Sequence, residues 1–411
     1  MTTKEPSKRR TDIGQRYPKR VLKSPLQSLG VGPAESAQGT LFQGFHVLPQ
    51  LPDSAILNVL LPGPFSGKPL STALPRRPRA SGRTTLADVA RAASVSPITA
   101  SRALRGERAV APDLVERVRQ AAQTLGYVPD PAARALASQR STLVPVLVPL
   151  LSNALFVDVL EAVHRGLAPH GYQILIGVTH YDPQEEEKLL TSYLAMRPAG
   201  LLLTGFDRTD EARQRLAASG VPCVHLMETT RAPDVYCVGF SQQDAGERMV
   251  QHLLDRGHRR IAFAAAQLDP RTLQRAEGYR RCLRAAGCYD AGLELLSSEA
   301  SSVRLGGELL AQLLDKHPDI DAIFFCNDDL AQGALLAAPR LGIRVPDQVA
   351  VAGFNDLAGS AEMLPSLTTV RTPRQAIGEE SARMLLALMR GETPARNCMD
   401  LGFELTVRES T

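Results

Sequence analysis

Residues 85–106 read TLADVARAASVSPITASRALRG, and their spacing decides the first domain. Thr85 with Asp88 three residues on is a capping box, in which a hydroxyl and a carboxylate each satisfy an orphan amide at a helix start. Leu86, Val89, Ala90 and Ala93 then fall on one face of a first helix. Ser94 and Val95 are left for a tight turn. Ser96 is a second cap, and Pro97 stands at the first helical position, where a missing N–H costs nothing; this second helix runs to about Leu104. A third helix from near Pro112 carries Val115, Val118, Ala122 and Leu125 inward and stops at Gly126. Two short helices joined this way form a helix-turn-helix, whose second helix reads the major groove of DNA. Small helical bundles that bind no DNA produce the bare pattern too.

Downstream, Asp130 caps and Pro131 opens a short segment, 132–138, that cannot be a stable helix alone. In order and spacing, 85–106 followed by VRQAAQTLGYVPDPAARALA (118–137) resembles the headpiece and hinge helix of the lactose-repressor (LacI/GalR) family of bacterial transcription regulators, and the likeness continues from Thr84 to the C-terminus. The resemblance implies that Pro97, Ile98, Thr99, Ser101 and Arg102 face the bases, and that Leu136 wedges into the minor groove and kinks the operator. The chemistry agrees. Arginine takes guanine O6 and N7 bidentately, isoleucine meets a thymine methyl, and an apolar wedge unstacks a base step. The plainer readings are a packing role for Ile98 and Leu136 and a solvated helix charge at Arg102. Three residues depart from the family pattern: Ser94 for the turn glycine, Asp130 for asparagine before the hinge, and Pro97, which has no side-chain group to read a base with.

Upstream the texture is different. Residues 1–83 hold 13 Lys or Arg against 4 Asp or Glu, net +9, while the other 328 residues hold 34 against 39, net −5. A basic tail therefore precedes an acidic body. The tail also carries 11 of the 29 prolines and little apolar periodicity, so a disordered basic extension is expected over 1–83. Three readings compete for it: a nonspecific phosphate-binding arm, and ahead of that an inert extension or sequence translated from a start codon placed too early. The remaining boundaries expected are a DNA-binding headpiece at 84–130, a hinge helix and linker at 131–142, and a two-lobed effector-binding and dimerisation domain at 143–411.

From Leu143 on, strand-length apolar runs alternate with helices closed by glycine. Examples are 143–151, 156–170 before Gly171, 173–178, 185–196 and 200–203, then 243–256, 260–265, 275–286, 322–325, 329–340, 349–353 and 374–390. Such alternation predicts α/β architecture, with doubly wound parallel sheets covered on both faces. Two such halves joined by crossovers make a two-lobed cleft, the periplasmic-binding-protein-like body that the resemblance also implies. Ligands of open α/β sheets bind beyond the carboxyl ends of the strands. There the chain places Ser152, Met227 and Glu228, the expected loop Asp269, Pro270, Arg271 and Thr272, then Asn327 with Asp328, and Asn355. The resemblance implies sugar contacts at Asn327, Asp328 and Asn355. Arg374 joins them if its helix start faces the cleft. Against this, Asp328 or Asp329 can simply cap a helix, Asn355 can be a turn residue and Arg275 a surface charge.

LDPRTLQRAEGY, CNDDLAQGA and VGFSQQDAG resemble in particular the gluconate-utilisation repressors of that family. Arg271 can clamp a carboxylate and Asp269, Asn327, Asp328 and Asn355 a run of hydroxyls, so a sugar acid such as gluconate is the expected effector. A phosphorylated sugar or a corepressor on the same architecture, or a non-regulatory sugar-binding protein, are the alternatives. The chain shows no GxGxxG after a strand, no GxxxxGK[ST] and no GxSxG, and its eight histidines fall at no ligand spacing, so neither enzyme chemistry, a cofactor nor a metal is expected. Six cysteines without CxxC read as reduced packing residues. No apolar run of 18 residues and no signal-peptide core occur, which predicts a cytoplasmic protein without a membrane partner. The partners expected are double-stranded operator DNA, the effector, and further copies of the chain as a homodimer or tetramer, because one headpiece contacts too little DNA for specificity.

Overall fold

The computed structural model describes residues 84–106, 110–128, 141–152 and 154–411. The expected extension and most of the hinge, with Asp130 and Leu136, lie outside the described residues. Three helices, α1 (Leu86–Ala92), α2 (Pro97–Leu104) and α3 (Pro112–Thr124), follow the predicted caps. The Asp88 amide donates to Thr85 Oγ1 at 3.3 Å and the Thr85 amide to Asp88 Oδ2 at 3.0 Å, which is the capping box closed from both sides. Ser94 takes the left-handed conformation that glycine usually supplies at this turn, with φ 53°. Only small side chains fill the centre: Val89, Ala90, Ala93, Ala100, Ala103, Val118 and Ala122. Leu125 does not join them; it is the C-cap of α3 and 37% exposed, and Tyr127 packs against the centre instead.

Residues 141–411 build two six-stranded sheets. In the first lobe, β1 (Leu143–Val148), β2 (Gln173–Val178), β3 (Leu201–Thr204), β4 (Cys223–Leu226), β5 (Cys237–Gly239) and β11 (Cys398–Asp400) lie in the order β11-β5-β4-β3-β1-β2. In the second lobe, β6 (Ile261–Ala265), β7 (Glu294–Leu296), β8 (Ala322–Phe325), β9 (Ala350–Asn355), β10 (Thr368–Arg371) and β12 (Glu404–Thr406) lie in the order β12-β10-β9-β8-β6-β7. Every paired neighbour is parallel except β12 on β10. β3 and β8 are buried at every position, as continuous apolar strands covered on both faces should be. The chain passes between lobes after β5, after β10 and between β11 and β12.

Helices α4 (Ala154–Leu167), α5 (Pro183–Ala195), α6 (Asp210–Ser219) and α11 (Arg374–Met389) cover the first sheet, and α7 (Gln242–Asp255), α8 (Pro270–Ala285), α9 (Val303–Lys316) and α10 (Asp328–Ala337) the second. Some pairs touch backbone to backbone. A Cβ on Gly333 of α10 would stand 1.9 Å from the Val303 carbonyl of α9, and one on Gly278 of α8 would stand 2.1 Å from the Gln243 carbonyl of α7. The main departure from the expected elements is α8, which begins five residues before Arg275. Asp269 is its N-cap and Pro270 its first residue, so 269–272 is a helix start and no loop. Short edge strands β7, β11 and β12 go beyond the expected series. Among the described residues no helix is long and apolar enough to cross a membrane.

Candidate functional site

Helix α2 presents its first turn outward because Ala100 and Ala103 take its buried face. Ile98 is 65% exposed, which disposes of the packing role open to it in the sequence. Pro97 and Arg102 are exposed beside it, and Thr99 and Ser101 half-buried. The Thr99 hydroxyl is tied to Ser96 Oγ at 2.8 Å within the cap. Leu136 lies outside the described residues.

A second site lies between the two sheets, where the strand ends of both lobes meet in a cavity of about 230 Å³. The first lobe lines it with Leu150, Ser152, Leu155, Phe156, Tyr181 and Met227; every charged lining residue, Asp269, Arg271, Arg275 and Asp329, comes from the second. Asn327 lines the cavity and also caps α10, accepting the Leu330 amide at 3.1 Å, with its Nδ2 donating to Ser301 Oγ at 2.8 Å. Asn355 is buried at φ 113°, and its Oδ1 finds no partner among the described residues although it lines the cavity. An orphaned acceptor in such a place calls for a donor from a ligand.

The two arginines of α8 stand one helical turn apart in opposite electrostatic states. Arg271 is already compensated: its Nη2 lies 3.0 Å from Asp269, its Nη1 3.5 Å from Glu228, and its guanidinium stands over the Tyr181 ring. Those carboxylates hold Arg271 above its ordinary value despite burial. The expectation that Arg271 awaits an anionic ligand is therefore corrected. Arg275, taken from the sequence as a possible surface charge, is buried. It donates to Gln242 Oε1 at 2.9 Å and to the Cys326 carbonyl at 2.6 Å, and lies 4.0 Å from the Phe354 ring centre. No carboxylate of the described residues is within ion-pair distance of it, and burial pushes it below its ordinary value.

Two more expectations need correcting. Asp328 turns away from the cavity: fully buried, it accepts from Thr369 Oγ1 at 2.6 Å, the Leu357 amide at 2.7 Å and Ser360 Oγ at 2.9 Å, fastening the loop after β9. Burial pushes its carboxyl up to about 6 in spite of these donors. Its neighbour Asp329, one step round the helix, faces the cavity. Arg374 is not part of the lining either. It reaches Asp158 of α4 at 2.8 Å and grips the Asn355 carbonyl and, at 3.2 Å, that of Asp356, so it braces the backbone of a cavity residue from behind. Among the lining residues the sequence did not single out as site residues are Tyr181, Arg275 and Asp329. The one available signal was the spacing of Arg271 and Arg275, which share a helix face once Pro270 is read as the helix start.

Two family models match the chain: bacterial regulatory proteins of the lacI family over residues 85–130, and a periplasmic binding protein-like domain over residues 250–411. The HTH-type transcriptional regulator GntR of Pseudomonas aeruginosa is 58% identical over 333 residues, which is 81% of this chain and 97% of that protein. Among solved structures, the transcription regulator GntR of Chromobacterium violaceum is 47% identical with a TM-score of 0.64, covering 65% of this chain and 98% of its own. The lac repressor dimer bound to operator and the anti-inducer ONPF is 25% identical with a TM-score of 0.70, covering 80% and 99%.

Proposed function

Because the chain belongs to the lacI family of bacterial transcription regulators, and so is a sequence-specific DNA-binding regulator with an effector domain, we propose that it represses genes of gluconate catabolism and leaves its operator when gluconate or a close sugar acid fills the cleft. The observation that carries this reading is Arg275, a buried guanidinium in the cavity with no carboxylate partner. A buried cation of this kind gains most from a ligand that brings one negative charge. Arg271 is neutralised within the protein, so among the described residues the cavity has one cation to offer, which favours a monoanion over a phosphate dianion. The unpaired Asn355 Oδ1, with Asn327 and Asp329, supplies acceptors and donors for hydroxyls. The cavity is smaller than the usual drug-sized pocket, in keeping with a single sugar acid.

On this reading the protein is cytoplasmic and catalyses nothing. It works as a homodimer or tetramer, with Ile98, Thr99, Ser101 and Arg102 reading bases and Leu136 kinking the operator once paired hinges fold. The lobes closing on the effector change the spacing of the paired headpieces. Calorimetry on the purified protein tests it. Gluconate should bind at least roughly tenfold more tightly than a neutral hexose, the scale of one charge-assisted contact, and operator affinity should drop when gluconate is added. Arg275→Met should erase the preference for the acid. Equal binding of acid and hexose, or an operator complex indifferent to gluconate, overturns the effector assignment.

A further inference from the structure

Glu228 follows β4 in the first lobe, yet its carboxylate is satisfied from the second. Gln274 Nε2 of α8 donates to its Oε1 at 2.7 Å, and Arg271 Nη1 faces its Oε2 at 3.5 Å. The carboxylate is buried, but it stands outside the cavity lining, as does Gln274. The surroundings leave room for it at two glycines. A Cβ on Gly205, at the end of β3, would lie 2.4 Å from Glu228 Oε2 and 2.5 Å from Arg271 Nη1, and one on Gly239 would lie 2.3 Å from the Glu228 amide nitrogen. Met227 before it turns at φ 73°, with its carbonyl held by Gln242 Nε2 at 3.0 Å.

We propose that Glu228 is one half of a reversible latch between the lobes, with Gln274 and Arg271 as its catch. The latch sets how far the cleft closes before any effector arrives. The inference rests on the preceding reading only in taking the cleft as one that closes. Its physical basis is what happens on opening. A buried pair is costly to break when it strands a charge, but here neither partner is stranded. Glu228 returns to water, while Arg271 keeps Asp269 at 3.0 Å in its own lobe. Closing then replaces the water around one carboxylate with two donors, a small net change that can bias a two-state equilibrium without locking it. The pair also differs in kind from Arg374 with Asp158, whose carboxylate is half exposed and contributes little.

Pulsed dipolar spectroscopy on the full chain tests this without any ligand. Genetically encoded spin-label residues at exposed Glu211 of α6 and Arg304 of α9 report the distance between lobes, with unlabelled protein added to suppress contacts between copies. Glu228→Gln keeps the shape and removes the charge; Gln274→Ala removes the shorter hydrogen bond without touching the lining. Both variants should shift the unliganded distribution to longer distances. Both should also weaken effector binding about three- to tenfold and equally for gluconate and a neutral hexose, since what is lost is closure and not charge recognition. Unchanged distances in two variants whose thermal melts show them folded overturn the latch. If the distances lengthen but gluconate does not bind the parent protein, the latch stands and the effector assignment falls.

Discussion

The two lobes share a topology, six strands in matching order, and divide the chemistry between them unequally. All the charged side chains of the cavity come from the second lobe, while the first offers apolar and aromatic surface, Ser152 and Tyr181 aside. A shared fold therefore says where a ligand binds and nothing about which half recognises it. On the proposed reading, the second lobe would recognise the ligand through its charged groups and the first would seal it from water, which would strengthen each polar contact made opposite.

The contrast can be broken or sharpened by experiment, the largest effect first. Gly333→Ala puts a methyl where the Val303 carbonyl stands 1.9 Å away, against 2.6 Å at the Val159 carbonyl for Gly378→Ala in the first lobe. Urea unfolding should show Gly333→Ala destabilised by about 3 kcal/mol and Gly378→Ala by clearly less, the upper and lower ends of overpacking costs. Equal losses would mean that the two helix pairs are equally rigid.

Acid should act on the lobes in opposite directions. In the second, Asp328 is raised by burial from 3.8 to about 6, so its contribution is whole below about pH 4 and is lost as pH rises towards 6. In the first, burial and then the neighbouring Arg208 push His225 from 6.5 down to about 4, so its contribution is whole above pH 6.5 and is lost as pH falls towards 4. Each shift is worth up to about 3 kcal/mol. The deficit of Asp328→Asn relative to the parent should shrink as pH rises from about 4 to 6, and that of His225→Gln should shrink as pH falls through the same window. Parallel pH courses for the two variants would remove the contrast.

The smallest effect compares two serines of the lining. Ser301→Ala frees the Asn327 amide it holds at 2.8 Å and should cost about 1 kcal/mol of gluconate affinity, whereas Ser152→Ala in the sealing lobe should cost a few tenths. Calorimetry giving the reverse order would transfer recognition to the first lobe.

The sequence made the headpiece legible because its instructions are local. Thr85 and Asp88, or Ser96 and Pro97, are neighbours whose caps close within three residues. The alternating sheets were equally readable from apolar runs and terminal glycines. The cleft was readable only in outline, because its contacts join distant segments. Arg275 meets Gln242 and the Cys326 carbonyl across 33 and 51 residues, and Arg271 meets Glu228 across 43. Apart from its four-residue spacing from Arg271, nothing near Arg275 in the chain distinguishes it from a solvated helix charge. Asp328 and Asp329 show the finer limit: adjacent acids at one helix start, of which the roll of α10 on its sheet sends one into the interior and the other into the cavity.

The three passages of chain between lobes also order the birth of the molecule on the ribosome. The first lobe is begun early, yet α4 waits for α11 to cover it and β5 waits for β11 to extend its sheet edge, so this lobe stays incomplete until residue 400 has been made. The headpiece, whose helices contact one another within 84–128, needs none of that delay. A nascent chain therefore carries a finished DNA-reading module while the face of α4 at Val159, Ala162 and Val163, on which Gly378 of α11 packs, has no cover. Half-made lobes of this kind are what chaperones recognise, and synonymous slow codons placed before residue 374 would lengthen that vulnerable interval.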